Sequence, residues 1–214
     1  MKDLYWSSKP KEEAPEAPSK EKPSIIVLSG DDASGGSCPV EIQHNIIYFY
    51  GVVDDTNVKL LNRALRHLDK ESQIFKIKYA CEAPPICLHI NSYGGSLFSA
   101  FAVVDTLSQL ETPVHSYIDG SAASAATLIS CAATKRFMSK NSYMLIHQLS
   151  SSVWGKFEEI KDEMENLELL MDNIKRIYTL HTSIPKRELD KILKRDIWLN
   201  HEKCLKWGLV DEIV

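Results

Sequence analysis

Residues 86–133 read ICLHINSYGGSLFSAFAVVDTLSQLETPVHSYIDGSAASAATLISCAA. Ile86 to Ile90 is an apolar, β-prone run that ends in the turn-forming Asn91-Ser92-Tyr93-Gly94-Gly95. Phe98, Phe101, Val104 and Leu107 then fall on one side of a helix predicted over 96–110. Val114 to Ile118 reads as a second strand, and Ser121 to Ala133 as a helix of small residues. Strands alternating with helices predict an α/β body with mainly parallel strands.

The same alternation continues on both sides. Ile46 to Tyr50 is a short β-prone run closed by Gly51. Asp54-Asp55-Thr56 can cap a helix on which Val58, Leu61, Leu65 and Leu68 recur. Downstream, Tyr143 to Ile146 reads as a buried strand. Phe157, Ile160, Met164, Leu167, Met171, Ile174 and Tyr178 then alternate at spacings of three and four. That heptad-like seam predicts a helix about 33 Å long, at about 1.5 Å per residue. A seam of this length in a small body favours pairing with another subunit over packing on its own domain. Short elements close the chain: a helix over Lys186 to Leu193, an extended Asp196-Ile197-Trp198-Leu199, and a last helix capped by Asn200.

The chain has 214 residues, 25 Lys plus Arg against 29 Asp plus Glu, and a net charge of −4. This balance, without a basic cluster, argues against nucleic-acid binding. No apolar run approaches the ~20 residues of a membrane helix. The first residues, MKDLYWSSKPKEEAPEAPSKEK, lack the apolar core of a secretory signal and carry glutamates foreign to a transit peptide. Five scattered cysteines without CxxC spacing read as reduced thiols of a cytoplasmic chain, with no metal site. Five of the nine prolines lie within the first 39 residues. Residues 1–40 are therefore expected to form a flexible extension, with a single body over 41–214.

Three features bear on chemistry. The Gly94-Gly95 corner lets backbone approach a ligand and point N–H groups outward at a helix start, although an isolated Gly-Gly is more often a plain turn. It matches neither a dinucleotide fingerprint nor a phosphate loop. In Gly120-Ser121-Ala122-Ala123-Ser124-Ala125, either serine is a candidate nucleophile beside helix N–H groups, or simply a small packing residue. The GxSxG elbow is absent. His147 follows the strand ending at Ile146 and is a candidate base; Asp196 is a candidate to orient it. His181 and His201 read as helix-end residues.

Taken together, residues 46–214 resemble the ClpP family, the proteolytic subunits of ATP-dependent Clp proteases. Ile46-Ile47-Tyr48-Phe49-Tyr50-Gly51 is similar to its first core strand, and Ile90-Asn91-Ser92-Tyr93-Gly94-Gly95 to its INSPGG corner. Gly120-Ser121-Ala122-Ala123-Ser124 matches its G-x-A-A-S motif, and Met144-Leu145-Ile146-His147-Gln148 its MIHQ segment with one added residue. Arg195-Asp196 before Trp198-Leu199, and Gly208-Leu209-Val210-Asp211, match the aspartate region and the closing GLVD.

The resemblance implies a ClpP/crotonase-like ββα superhelical body with a projecting handle helix over 155–180. It implies Ser124 as nucleophile, His147 as general base, Asp196 as its partner, and an oxyanion hole from the N–H groups of Gly95 and Ala125. Substrate would add as a strand between Gly95-Ser96-Leu97 and Gln148-Leu149-Ser150. The implied assembly is a homo-oligomer of two stacked seven-membered rings, fed with unfolded polypeptide by an AAA+ unfoldase of the Clp type. No cofactor is expected in this subunit, ATP being used by the partner. Four departures stand out: Tyr93 replaces the motif's proline, Asp119-Gly120-Ser121 and the Ala133-Thr134 turn differ from bacterial housekeeping members, Asp69 to Pro85 is longer than the family pattern, and residues 1–40, which would be a propeptide or a divergent axial gate, do not align with the family's pore-lining segment. They suggest a divergent branch, phage-encoded or organellar. The alternatives are a phage capsid-maturation protease of the same superfamily and a non-catalytic ring subunit; a crotonase-like acyl-CoA enzyme ranks last.

Overall fold

The computed structural model describes residues 25–27 and 38–214; the expected flexible extension lies mostly outside them. Among the described residues nine strands form one sheet: β1 (Ile25–Val27), β2 (Val40–Gln43), β3 (Ile46–Phe49), β4 (Ile86–Ser92), β5 (Val114–Ala123), β6 (Lys135–Met138), β7 (Tyr143–Leu145), β8 (Trp198–Leu199) and β9 (Glu212–Ile213). The helices are α1 (Asp55–Tyr79), α2 (Leu97–Gln109), α3 (Ala125–Cys131), α4 (Phe157–His181), α5 (Lys186–Ile192) and α6 (His201–Lys206). The strand order is β1-β2-β3-β4-β5-β6-β9, with β7 beside β5 and β8 beside β7. As expected, the pairs from β3 through β6 are parallel; the β1-β2-β3 meander and the β7–β8 pair are antiparallel.

Alternation along the central strands explains the layering. Ile86, Leu88 and Ile90 are fully buried, while Cys87 and His89 between them are only half-buried. Each such buried side chain contributes about 1.5–3 kcal/mol of burial free energy. Against that face α1 sets Val58, Leu61, Ala64, Leu65 and Leu68, and α2 sets Ala100, Val103, Val104 and Leu107. Asp54 caps α1 through a 2.8 Å bond from Asn57 N–H, and Ser96 caps α2.

One expectation fails. Ser121–Ala123 are not helical: β5 continues through them, and the helix begins only at Ala125. Alanine favours helix, but these residues complete a parallel ladder with Tyr143–Leu145, and Ala122 also pairs with Ser92. β5 therefore has two successive neighbours on one side, β6 along His115–Ile118 and β7 along Ser121–Ala123. Gly120 lies at the changeover with a φ of +122°, where a side chain would be strained. Ser142 fixes this joint: its hydroxyl donates to the Ile118 carbonyl and accepts the Gly120 N–H, both at 2.8 Å.

Candidate active site

Where β5 ends, Ser124 adopts φ 53° and ψ −126°, a backbone conformation that costs an L-residue of order 1–3 kcal/mol. Its N–H donates to Leu145 O on β7 at 2.8 Å. Its carbonyl accepts from Thr127 N–H at 3.0 Å and from the Thr127 hydroxyl at 2.6 Å. Thr127 in turn meets the Tyr178 hydroxyl of α4 at 2.5 Å; with the Thr127 proton given to the carbonyl, the phenol is the donor. Desolvation pushes the buried Tyr178 phenol well up, so it stays neutral and able to donate. Sequence reading missed this brace, because nothing local marks a threonine and a tyrosine fifty residues apart as partners.

The glycine corner packs directly on this turn. A Cβ on Gly94 would stand 2.6 Å from Ala123 O and 2.8 Å from Ser124 Cβ, and one on Gly95 would stand 2.3 Å from Val53 O. Only glycine fits at either position, and both have positive φ, 92° and 149°. Val53 locks the corner by donating to Gly94 O at 2.9 Å and accepting Ser96 N–H at 2.6 Å. Among the described residues, neither Gly95 N–H nor Ala125 N–H donates to a backbone carbonyl.

The histidine and aspartate arrive together by strand register. β7 and β8 pair Met144 with Leu199 and Leu145 with Trp198. Two residues further along this antiparallel register, His147 comes opposite Asp196. The Nδ1–Oδ1 distance is 3.7 Å, too long for a hydrogen bond, and the Asp196 side chain is 80% exposed. This geometry leaves Nε2 of His147 as the ring nitrogen available on the other side.

A cavity of about 320 Å³ gathers the site. Ser124, Ala125, Gly95 and His147 line it, with Ser96, Leu97, Gln148, Leu149 and Ser150 along its walls. Asp196 does not line it and stands behind the imidazole. Ser121, the other candidate, is held by Asn91 Oδ1 and lines a separate cavity with Tyr93 and Trp198. Several N–H groups of the expected substrate strands are engaged: Ser96 with Val53 O, Gln148 with Leu193 O at 2.7 Å, and Leu149 with the Met171 sulfur at 3.2 Å. Among the described residues no group of three or more His, Cys, Asp or Glu could hold a metal ion.

The α/β body thus sets a strained serine, a histidine and a glycine corner on the wall of one cavity. The sequence model of the Clp protease family matches residues 40–214, and the chain belongs to that family. Among solved structures it is similar to a ClpP1 point mutant from Listeria monocytogenes, with a TM-score of 0.66 and 26% identity. The match covers 77% of this chain and 88% of that one. The fold is thus ClpP-like. No helix among the described residues is long and apolar enough to cross a membrane.

Proposed function

We propose that the chain is a serine endopeptidase subunit that hydrolyses unfolded polypeptides inside an oligomeric chamber. The observation that carries this reading is the joint lining of one cavity by Ser124, His147, Gly95 and Ala125, with Asp196 in register behind the imidazole. Ser124 Oγ attacks the scissile carbonyl carbon while His147 Nε2 takes the hydroxyl proton, then passes it to the departing amine. Water, deprotonated by the same nitrogen, hydrolyses the acyl ester and restores the serine. Asp196, drawn in from 3.7 Å, fixes the imidazole tautomer and stabilises the imidazolium. The N–H groups of Gly95 and Ala125 receive the developing oxyanion, a contribution of about 2.7–4 kcal/mol per donor.

Substrate lies as a strand between Ser96-Leu97 and Gln148-Leu149, where backbone pairing gives low sequence preference. Because Ser96 and Gln148 N–H groups are engaged, pairing there uses carbonyls and the remaining N–H groups. The subunit works without a cofactor, in the cytoplasm, as a homo-oligomer of two stacked heptameric rings served by an AAA+ unfoldase. Residues 1–24 precede β1, the first strand of the body.

A fluorophosphonate probe is expected to label Ser124 in the wild type, and Ser124→Ala to abolish labelling. One observation favours a second reading, a non-catalytic ring subunit: the open gap between His147 and an exposed Asp196. An assembled wild-type oligomer that stays unlabelled would select that second reading.

A further inference from the structure

α1 outruns the core it packs on. Its last residue buried against the sheet is Leu68, yet the helix continues for three more turns to Tyr79. That continuation is tied along one side only. Asp69 accepts Thr112 N–H at 2.8 Å, and Gln73 donates to the Thr112 hydroxyl at 3.2 Å. Its other side carries Ile74, Phe75 and Tyr79, which are 47%, 38% and 56% exposed. Phe75 and Tyr79 lean together with ring centroids 4.8 Å apart. Between this side and the β2–β3 turn runs a groove of about 530 Å³, walled by Phe75, Tyr79 and Leu68 on the helix and by His44 and Asn45 on the turn. Isolated helical turns with an uncovered apolar side gain little stability in water, so an occupant would stabilise them.

The chain itself delivers a candidate to this place. β1 is antiparallel to β2 and its first residue, Ile25, pairs with Gln43, the neighbour of His44. The chain therefore enters the sheet at Ile25, beside the groove's own wall. Within residues 1–24, Leu4-Tyr5-Trp6 is the only cluster of large apolar side chains; the rest is Lys, Glu, Pro, Ser and Ala but for Met1 and Asp3. Aromatic anchors of this kind bring large contact area at low entropic cost. Lys2 and Asp3 precede the cluster, and the groove carries the complementary Glu71 and Lys78. The residues between Trp6 and Ile25 reach up to about 60 Å when extended, far more than the groove requires.

We propose that Leu4-Tyr5-Trp6 of this chain docks in the groove between the α1 extension and the β2–β3 turn. The segment acts as a strap, independent of whether Ser124 is catalytic. Hydrogen exchange on the full chain tests it, comparing the wild type with the Tyr5→Ser/Trp6→Ser double variant. Far-ultraviolet circular dichroism and the melting temperature of the body check that the double variant keeps its fold. Amides of residues 69–80 are expected to exchange at least about tenfold more slowly in the wild type. A synthetic peptide of residues 1–24 is expected to restore slow exchange to the double variant. Equal exchange in the two proteins would overturn the proposal. So would protection that rises with protein concentration and ignores the tail substitutions, which would give the groove to a second copy of the chain.

Discussion

Ser124 keeps its unusual backbone because its neighbours hold both ends of the residue. Leu145 takes its N–H, while the Thr127–Tyr178 brace takes its carbonyl. Removing the Tyr178 hydroxyl leaves a buried threonine oxygen without its donor and loosens the turn. Tyr178→Phe is expected to cost about 1–2 kcal/mol, read by urea unfolding. It is also expected to slow probe labelling of Ser124 without abolishing it. Labelling at the wild-type rate would show that the brace serves stability alone. The two serines illustrate what a sequence can carry at this scale. Residue type leaves Ser121 and Ser124 equal; resemblance separates them, and the structure places them apart, Ser121 on Asn91 and Ser124 on the cavity that His147 lines.

Elements were legible in proportion to how far their own periodicity decides them. β4, α2 and the long seam of α4 follow from local pattern. The start of α1 was legible from Asp54 and the Val58-to-Leu68 stripe, but its last three turns were not, because no sheet residues call for an apolar face there. Ser121–Ala123 were misread because their strand character comes from β7, some twenty residues away. β6 and β9 are too short and too charged to announce themselves; a salt bridge reinforces their parallel ladder. Arg136 on β6 grips Asp211, just before β9, through Nη2 at 2.6 Å and Nε at 2.9 Å, and its backbone N–H adds a third bond at 2.9 Å. A further bond from Arg136 reaches His181 O at the end of α4. The Arg136 hydrogen bond holds the Asp211 carboxyl below the usual carboxylate range, with partial burial opposing it. A depressed folded-state value means the pair stabilises fully above the unfolded value of about 3.9. That stability is lost as pH falls through the lower folded value. Asp211→Asn is expected to flatten the decline of melting temperature between about pH 5 and pH 2; an unchanged decline would assign acid lability to other carboxylates.

At the scale of the molecule, α4 divides into two parts. Ile174, Ile177 and Tyr178 anchor its end in the core, whereas Phe157 and Met164 stand 78% and 53% exposed. The straight heptad seam read from sequence is therefore buried only near its end, and Ile177, off that seam, joins the core. If the exposed half pairs with another subunit, Ile160→Asp/Met164→Asp is expected to lower the native mass severalfold while leaving the thermal unfolding of the body intact. Ser124→Ala should keep the wild-type mass, and an unaltered mass in the charged variant would exclude this face from assembly. The register that sets His147 opposite Asp196 also divides the chain by its tolerance of altered length. Adding or deleting one residue between Leu145 and His147, or between Asp196 and Trp198, slides one partner past the other and turns its side chain to the opposite face. The segment from Ser150 to Lys156 lies beyond that ladder, so divergent lineages can lengthen or shorten it while keeping the spacing of the two short strands.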